Sequence, residues 1–274
     1  MNASQLFKAI VLGIIEGLTE WLPISSTGHM ILADEFIKLN VSAAFKEMFM
    51  VVIQLGAIMA VVVLYFSKLN PIDPKKTAEE KKDAALLWVK VLIACLPAAA
   101  VGIVLDDWLD AHFYNYVTVS VTLIVYGAAF IVLENRNKGK SFEINDISRL
   151  TFGKAFMIGV FQLLSLIPGT SRSGATILGA MLIGTSRDVS AEFSFFLAIP
   201  VMFGASLLKL AKFGFSFGSS ELAILIAGMI TAFAISLISI KFLVGYIKGH
   251  DFKAFGYYRI ALGIIVLAFF LASA

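Results

Sequence analysis

The sequence predicts an all-α, polytopic membrane protein with six transmembrane helices and two re-entrant helix-turn-helix segments in an inverted-topology repeat. Three observations predict it. The 274 residues are 59% hydrophobic and only 15% charged, whereas ordinary globular chains are roughly 45–50% apolar and about 25% charged. A soluble core of this length cannot hide that much apolar surface. Several apolar windows also approach the roughly 20 residues that cross a hydrocarbon core of about 30 Å. Finally, two apolar segments are broken at their middles by proline, glycine and hydroxyl residues, and the two resemble each other. The net charge is only +3, and no nucleic-acid partner is expected.

The segments are justified in chain order. The N-terminal "MNASQLFKAIVLGIIEGLTE" has no basic leader followed by a small-residue cleavage site, so it is expected to be mature protein. It opens the first interrupted segment, about 5–40, broken by "PISSTG" (23–28). Three apolar segments follow at about 47–66, 84–105 and 117–133. The second interrupted segment, about 154–187, is broken by "PGTSRSG" (168–174), and three more spans follow at about 190–212, 221–243 and 257–272. Each half of an interrupted segment is too short to span, which suits a hairpin that enters and leaves by one side. Irregular backbone at membrane depth is tolerated only where protein buries it or it lines a wet cavity. The single cysteine, Cys95, lies in an apolar run, can form no internal disulfide, and reads as a small buried hydrophobe.

Charge orients the spans. The stretch 68–83 carries five lysines and 134–154 carries five basic residues, so both are expected in the cytoplasm, with the basic 245–253. The acidic stretch 106–112 reads as an outer loop, with 214–220 and the C-terminus on the same side. Lys209 and Lys212 run against this bias and are expected to reach headgroups. The two interrupted segments align at a spacing of 146: Gly13 with Gly159, Glu16 with Gln162, and Gly28 with Gly174. Pro23 matches Pro168 with one residue gapped. Three spans follow each copy. Three is odd, so the second copy, 150–274, is inverted relative to the first, 1–135, within one membrane domain covering 1–274. Interrupted segments at corresponding places in two halves point to a binding site near the midplane.

The chemistry sits in those two breaks. Glu16 and Glu20 are four apart on a predicted helix and share a face. Paired carboxylates in a low-dielectric site demand a cation or a raised pKa. Pro23 ends the first helix, and Ser25, Ser26 or Thr27 can cap the next. Capping explains one hydroxyl, not three. His29 follows just inside the second helix. In "PGTSRSGAT" (168–176), Gly169 and Gly174 permit close backbone approach, and Ser171, Ser173 and Thr176 supply hydroxyls. Arg172 supplies a fork suited to phosphate, beside a helix N-terminus that favours anions. A mid-membrane arginine needs either a bound anion or the Glu16/Glu20 pair. Together these groups read as a phosphate site: an arginine clamp, hydroxyl donors, a carboxylate pair able to hold a divalent cation, and a serine or histidine as nucleophile. Within membrane spans, the substrate expected is a lipid phosphate.

"EGLTEWLPISSTGHM" and "PGTSRSGAT" resemble the two signature motifs of the bacterial undecaprenyl-diphosphate phosphatases of the BacA/UppP type. The resemblance extends to "VVIQLGAIMAVVV" (51–63), "AFMIGVFQ" (155–162) and "AEFSFFLAIP" (191–200), and so covers nearly the whole chain. It implies hydrolysis of undecaprenyl diphosphate to the monophosphate and inorganic phosphate, with bacitracin resistance on overproduction. It also implies dependence on magnesium or calcium, and a site open toward the outer face of the cytoplasmic membrane. Carried over by position, the glutamate motif falls on Glu16 and Glu20, which would hold the cation. The hydroxyl–histidine motif falls on Ser25, Ser26, Thr27 and His29, and the arginine motif on Ser171, Arg172, Ser173 and Thr176. Ser26 is the favoured nucleophile, assisted by Glu20 or His29, and a phosphohistidine at His29 is its rival. A homodimer is left open. Two other functions fit parts of the sequence. Acid-phosphatase-like lipid phosphatases need a second histidine soon after the arginine, and none follows Arg172. A transporter would share the broken helices, but has less use for a nucleophile, histidine and dicarboxylate together.

Overall fold

The computed structural model describes residues 3–214 and 216–273, except for the side chains at positions 103, 106, 107, 110 and 273. Apart from short 3-10 turns, one isolated bridge and loops, the described chain is helical. Helix α1 (Ala3–Thr19) and α2 (Ser26–Ile37) flank the first polar break. The first span is two successive pieces, α3 (Ala43–Val52) and α4 (Gln54–Leu64), separated at Ile53 and followed by the short α5 (Phe66–Leu69). Next come α6 (Ala78–Phe113) and α7 (Tyr116–Asn137). The second break lies between α8 (Phe152–Gln162) and α9 (Arg172–Leu182), and α10 (Arg187–Phe213), α11 (Ser219–Ile247) and α12 (Lys253–Ser273) complete the chain. Six of these elements are long and apolar enough to cross a membrane. The chain is a multi-pass membrane protein.

The acidic stretch 106–112, expected as a loop, is instead the last two turns of α6. The side chains of Asp106, Asp107 and Asp110 lie outside the described residues. Charge marks exposure to water, not a change of chain direction, and no Gly or Pro interrupts this stretch. The reversal comes at Tyr114 and Asn115, where the Asn115 side chain accepts from Thr118 N–H and starts α7.

Small residues set the helix contacts. A Cβ on Gly127 of α7 would lie 2.6 Å from the Gly256 carbonyl oxygen of α12, and one on Gly256 would lie 2.7 Å from that of Gly127. That reciprocal approach brings α7 and α12 together at backbone distance. Helix α1 packs on α11, with Gly13 against the Gly228 carbonyl, while α8 packs on α6, with Gly159 against the Ala94 carbonyl. Gly13 and Gly159 are the aligned pair of the sequence repeat. Both interrupted segments fold back on themselves, α1 on α2 and α8 on α9.

Polar pairs secure the two ends of the bundle. At one end Lys209 of α10 reaches Glu47 of α3 at 2.6 Å, and Asp34 pairs with Lys46. The lysine that ran against the charge bias is thus matched by a carboxylate on a neighbouring helix. At the other end Arg187 forms a two-pronged pair with the fully buried Glu134. Glu134 also accepts from Phe252 N–H at 2.9 Å, so one carboxylate joins α7, α10 and the start of α12.

Candidate functional site

Two turns of matching geometry meet inside the bundle. In the first, α1 ends at Thr19, Pro23 cannot continue the helix, and Ser25 adopts φ 72° before capping α2 by accepting from Gly28 N–H at 3.3 Å. In the second, α8 passes through a 3-10 turn to Pro168 and Gly169, and Ser171 adopts the same φ of 72° before capping α9 by accepting from Gly174 N–H at 3.2 Å. Left-handed backbone at a non-glycine residue costs of order 1–3 kcal/mol and persists only where its surroundings enforce it. Here it turns two helix N-termini into one region. Gly169, at φ +86°, has no room for a side chain, because a Cβ would lie 2.2 Å from Thr122 Oγ1.

The charged groups then join across the turns. Arg172 Nη2 lies 3.2 Å from Glu20 Oε1, and both side chains are buried. Arg172 Nη1 donates to the Ser194 carbonyl at 2.7 Å, and its guanidinium carbon sits 5.9 Å from the Trp21 ring centre. The other oxygen of Glu20 accepts from Ser26 Oγ at 2.7 Å. Ser173 Oγ contacts the carbonyls of Glu20 and Leu22 at 3.2 and 3.3 Å. Glu20 is therefore the hub, holding the serine on one side and the arginine on the other. Glu16 is buried within electrostatic reach of Glu20 and Arg172, and its Oε1 has no hydrogen-bond partner.

His29 faces elsewhere. Its Nδ1 lies 2.7 Å from the Ser25 carbonyl, which can only accept, so Nδ1 carries the proton. In the neutral ring Nε2 then accepts from the Tyr258 hydroxyl, 2.7 Å away, with the two rings stacked. The remaining hydroxyls sort by position. Ser25 and Ser171 are caps. Thr176 is buried, bonds back to the Arg172 carbonyl and meets Ser194 Oγ at 2.7 Å, bracing the arginine's partner. Thr27, half-buried, makes none of these contacts. Gly174 lies where a Cβ would come within 3.0 Å of Arg259 Nη1.

Over residues 9–265 the sequence matches the family described as bacitracin resistance protein BacA. The chain belongs to the BacA family. A protein of Enterococcus faecalis named undecaprenyl-diphosphatase is 63% identical over all of both chains. Relatives of the same name from Acetivibrio thermocellus and Desulfitobacterium hafniense are 65% and 62% identical, covering 98% and 99% of this chain and 98% of each of theirs.

Several residues of the candidate site in this BacA-family chain were not singled out from the sequence. Arg259, fully buried on α12, donates to the Pro23 carbonyl at 3.1 Å and to those of Gly169 and Thr170 at 3.0 and 2.9 Å. It ties both turns together through carbonyl oxygens, and its charge inside an apolar span was the available signal. Ser194 lies within the family-like "AEFSFFLAIP", and Trp21 is next to Glu20. Tyr258 carried no sequence signal apart from its neighbour Arg259.

Proposed function

We propose that this chain is an undecaprenyl-diphosphatase, releasing inorganic phosphate from the terminal position of the lipid diphosphate and leaving the monophosphate. Such release recycles the cell-wall carrier lipid, and the bacitracin resistance in the family's description follows from it. The observation that carries the reading is the Ser26–Glu20–Arg172 chain of contacts, formed across two turns that the 146-residue repeat relates. It favours Ser26 over His29 as nucleophile, since the carboxylate is bonded to the serine while His29 is held by Ser25 and Tyr258. Glu20 would take the hydroxyl proton as Ser26 Oγ bonds to the terminal phosphorus and the anhydride P–O bond breaks toward the lipid monophosphate. Arg172, steered by Ser194, would bind the phosphoryl oxygens, with the N-termini of α2 and α9 adding backbone donors. Water would then cleave the phosphoserine, and His29 Nε2, once released from Tyr258, would turn to take a proton from it.

A divalent cation, magnesium or calcium, fits the donor set in one way. Among the described residues no group of three or more His, Cys, Asp or Glu side chains is arranged to hold a metal ion. Two carboxylates plus substrate phosphate oxygens are a recognised arrangement for magnesium, and the unpartnered oxygen of Glu16 supplies an available ligand beside Glu20. When bound, such an ion would neutralise charge on the diphosphate. We further read residues 1–135 and 150–274 as inverted repeats, with both interrupted segments re-entrant and the site open to the outer face of the bacterial cytoplasmic membrane. The exchange of helix partners between repeats supports the first part, and the basic loops support the second.

The test is phosphate release from undecaprenyl diphosphate by the detergent-purified protein, with and without EDTA. Release that EDTA suppresses and magnesium or calcium restores is expected. A folded protein that binds the lipid and releases nothing would leave a carrier as the better reading.

A further inference from the structure

We infer that the groove between α7, α8 and α9 holds the prenyl units of the substrate nearest its diphosphate. This rests on the phosphatase reading above and says where the lipid chain runs. The groove is a cavity of about 270 Å³ whose walls are almost wholly apolar. Tyr126 and Ala129 of α7 line it from one side, and Ala175, Leu178 and Leu182 of α9 from the other, with Arg136 at its far end.

Two features tie it to the site. Its upper end is the Tyr126 ring, 5.7 Å from the guanidinium carbon of Arg259, which holds the carbonyls of both turns. The α9 residues that line it stand at spacings of three and four, on the face that begins at the cap Ser171. A phosphate bound between the turns therefore sits at the head of an apolar channel. The channel also opens sideways: Val132 on its α7 rim is 66% exposed and Leu182 on its α9 rim 50%. A prenyl chain can then enter laterally from the bilayer.

Its length suits the chemistry. From Tyr126 to Arg136 the helix advances about 15 Å at about 1.5 Å per residue. A prenyl unit adds four carbon–carbon bonds, about 5 Å when extended, so the groove takes about three units. The rest of a longer chain would leave the groove sideways between Val132 and Leu182 into the bilayer, short of Arg136, whose charge reaches water at the end of α7.

The experiment compares undecaprenyl diphosphate with isopentenyl diphosphate, which has the same headgroup on a single prenyl unit. Val132→Trp and Val132→Phe fill the groove from its α7 wall about 9 Å along the helix from Tyr126, beyond the reach of a single prenyl unit, and Val132 is exposed enough for the change to leave the core intact. Ile230→Trp, at a 61% exposed position on α11, is the control for an added aromatic ring on the apolar surface. The expected result is a KM for undecaprenyl diphosphate raised at least tenfold by the groove variants, with turnover of isopentenyl diphosphate at the wild-type level and the control unchanged on both. A KM for the long substrate within twofold of wild type, in folded groove variants, would overturn the assignment and leave the phosphatase reading standing. No release from either substrate by folded wild type would overturn both.

Discussion

Arg259→Lys keeps the buried charge and removes the fork. The arginine makes three charge-assisted hydrogen bonds, to the carbonyls of Pro23, Gly169 and Thr170. A lysine ammonium is a single donor atom on a shorter stem, so it cannot hold both the Pro23 carbonyl, bonded by Nη1, and the Gly169 and Thr170 carbonyls, bonded by Nη2. Hydrogen bonds to charged groups contribute about 1.5–3 kcal/mol each, so losing one or two removes about 1.5–6 kcal/mol from the junction between the turns. Part of that falls on stability and part on the register of Ser26 against Arg172, where a displacement of about 1 Å costs on the order of a hundredfold in rate. Phosphate release and thermal unfolding in the same detergent separate the two. The expected outcome is a kcat/KM at least 100-fold lower together with a lower Tm. Wild-type values for both would refute the claim that Arg259 fixes the turns to each other.

The other predictions concern single contacts. Ser26→Ala should lower kcat by about a thousandfold or more with an unchanged Tm, because the lost hydroxyl bonds only to Glu20, and stopped-time phosphate assays would show it. Tyr258→Phe should leave kcat within about tenfold of wild type, because it removes a hydrogen bond of about 1 kcal/mol that orients His29 but also frees the Nε2 that Tyr258 otherwise holds. Gly169→Ala should lower the Tm: the strained φ alone costs of order 1–3 kcal/mol, and the new Cβ would also meet Thr122 and the Val119 backbone. Glu134→Gln should destabilise by an amount near the lower end of the roughly 3–5 kcal/mol of a broken buried pair, because Arg187 keeps partial contact with water. Its kcat in detergent should change little, because Glu134 lies among the polar pairs at one end of the bundle and not between the turns.

The span count and both interrupted segments were legible because length, apolarity and helix-breaking residues are local properties. The cap geometry was half legible: a serine before each second helix predicts an N-cap, but nothing local predicts that Ser25 and Ser171 share one left-handed conformation. Charge misplaced the reversal after α6, since acidic residues continue a helix as readily as they end one. The core of the candidate site was legible because Glu20, Ser26 and Arg172 are polar groups stranded in apolar sequence. What stayed hidden were partners supplied by distant helices. Ser194 holds Arg172 largely through a backbone carbonyl, and Arg259 works entirely through carbonyl acceptors, which no side-chain motif records. Conversely, Thr176 read as a ligand-facing hydroxyl, yet it is buried against Ser194.

The central claim is that one reaction site is assembled from both turns, with Glu20 and Arg172 acting as a unit. Phosphate release from undecaprenyl diphosphate by Glu20→Gln, Arg172→Gln and the double variant tests it most directly, because residues that act together show losses that do not multiply. The account predicts that each single change lowers kcat/KM at least 100-fold and that the double variant is no worse than the poorer single. Independent, multiplying losses, or singles near wild type, would contradict it.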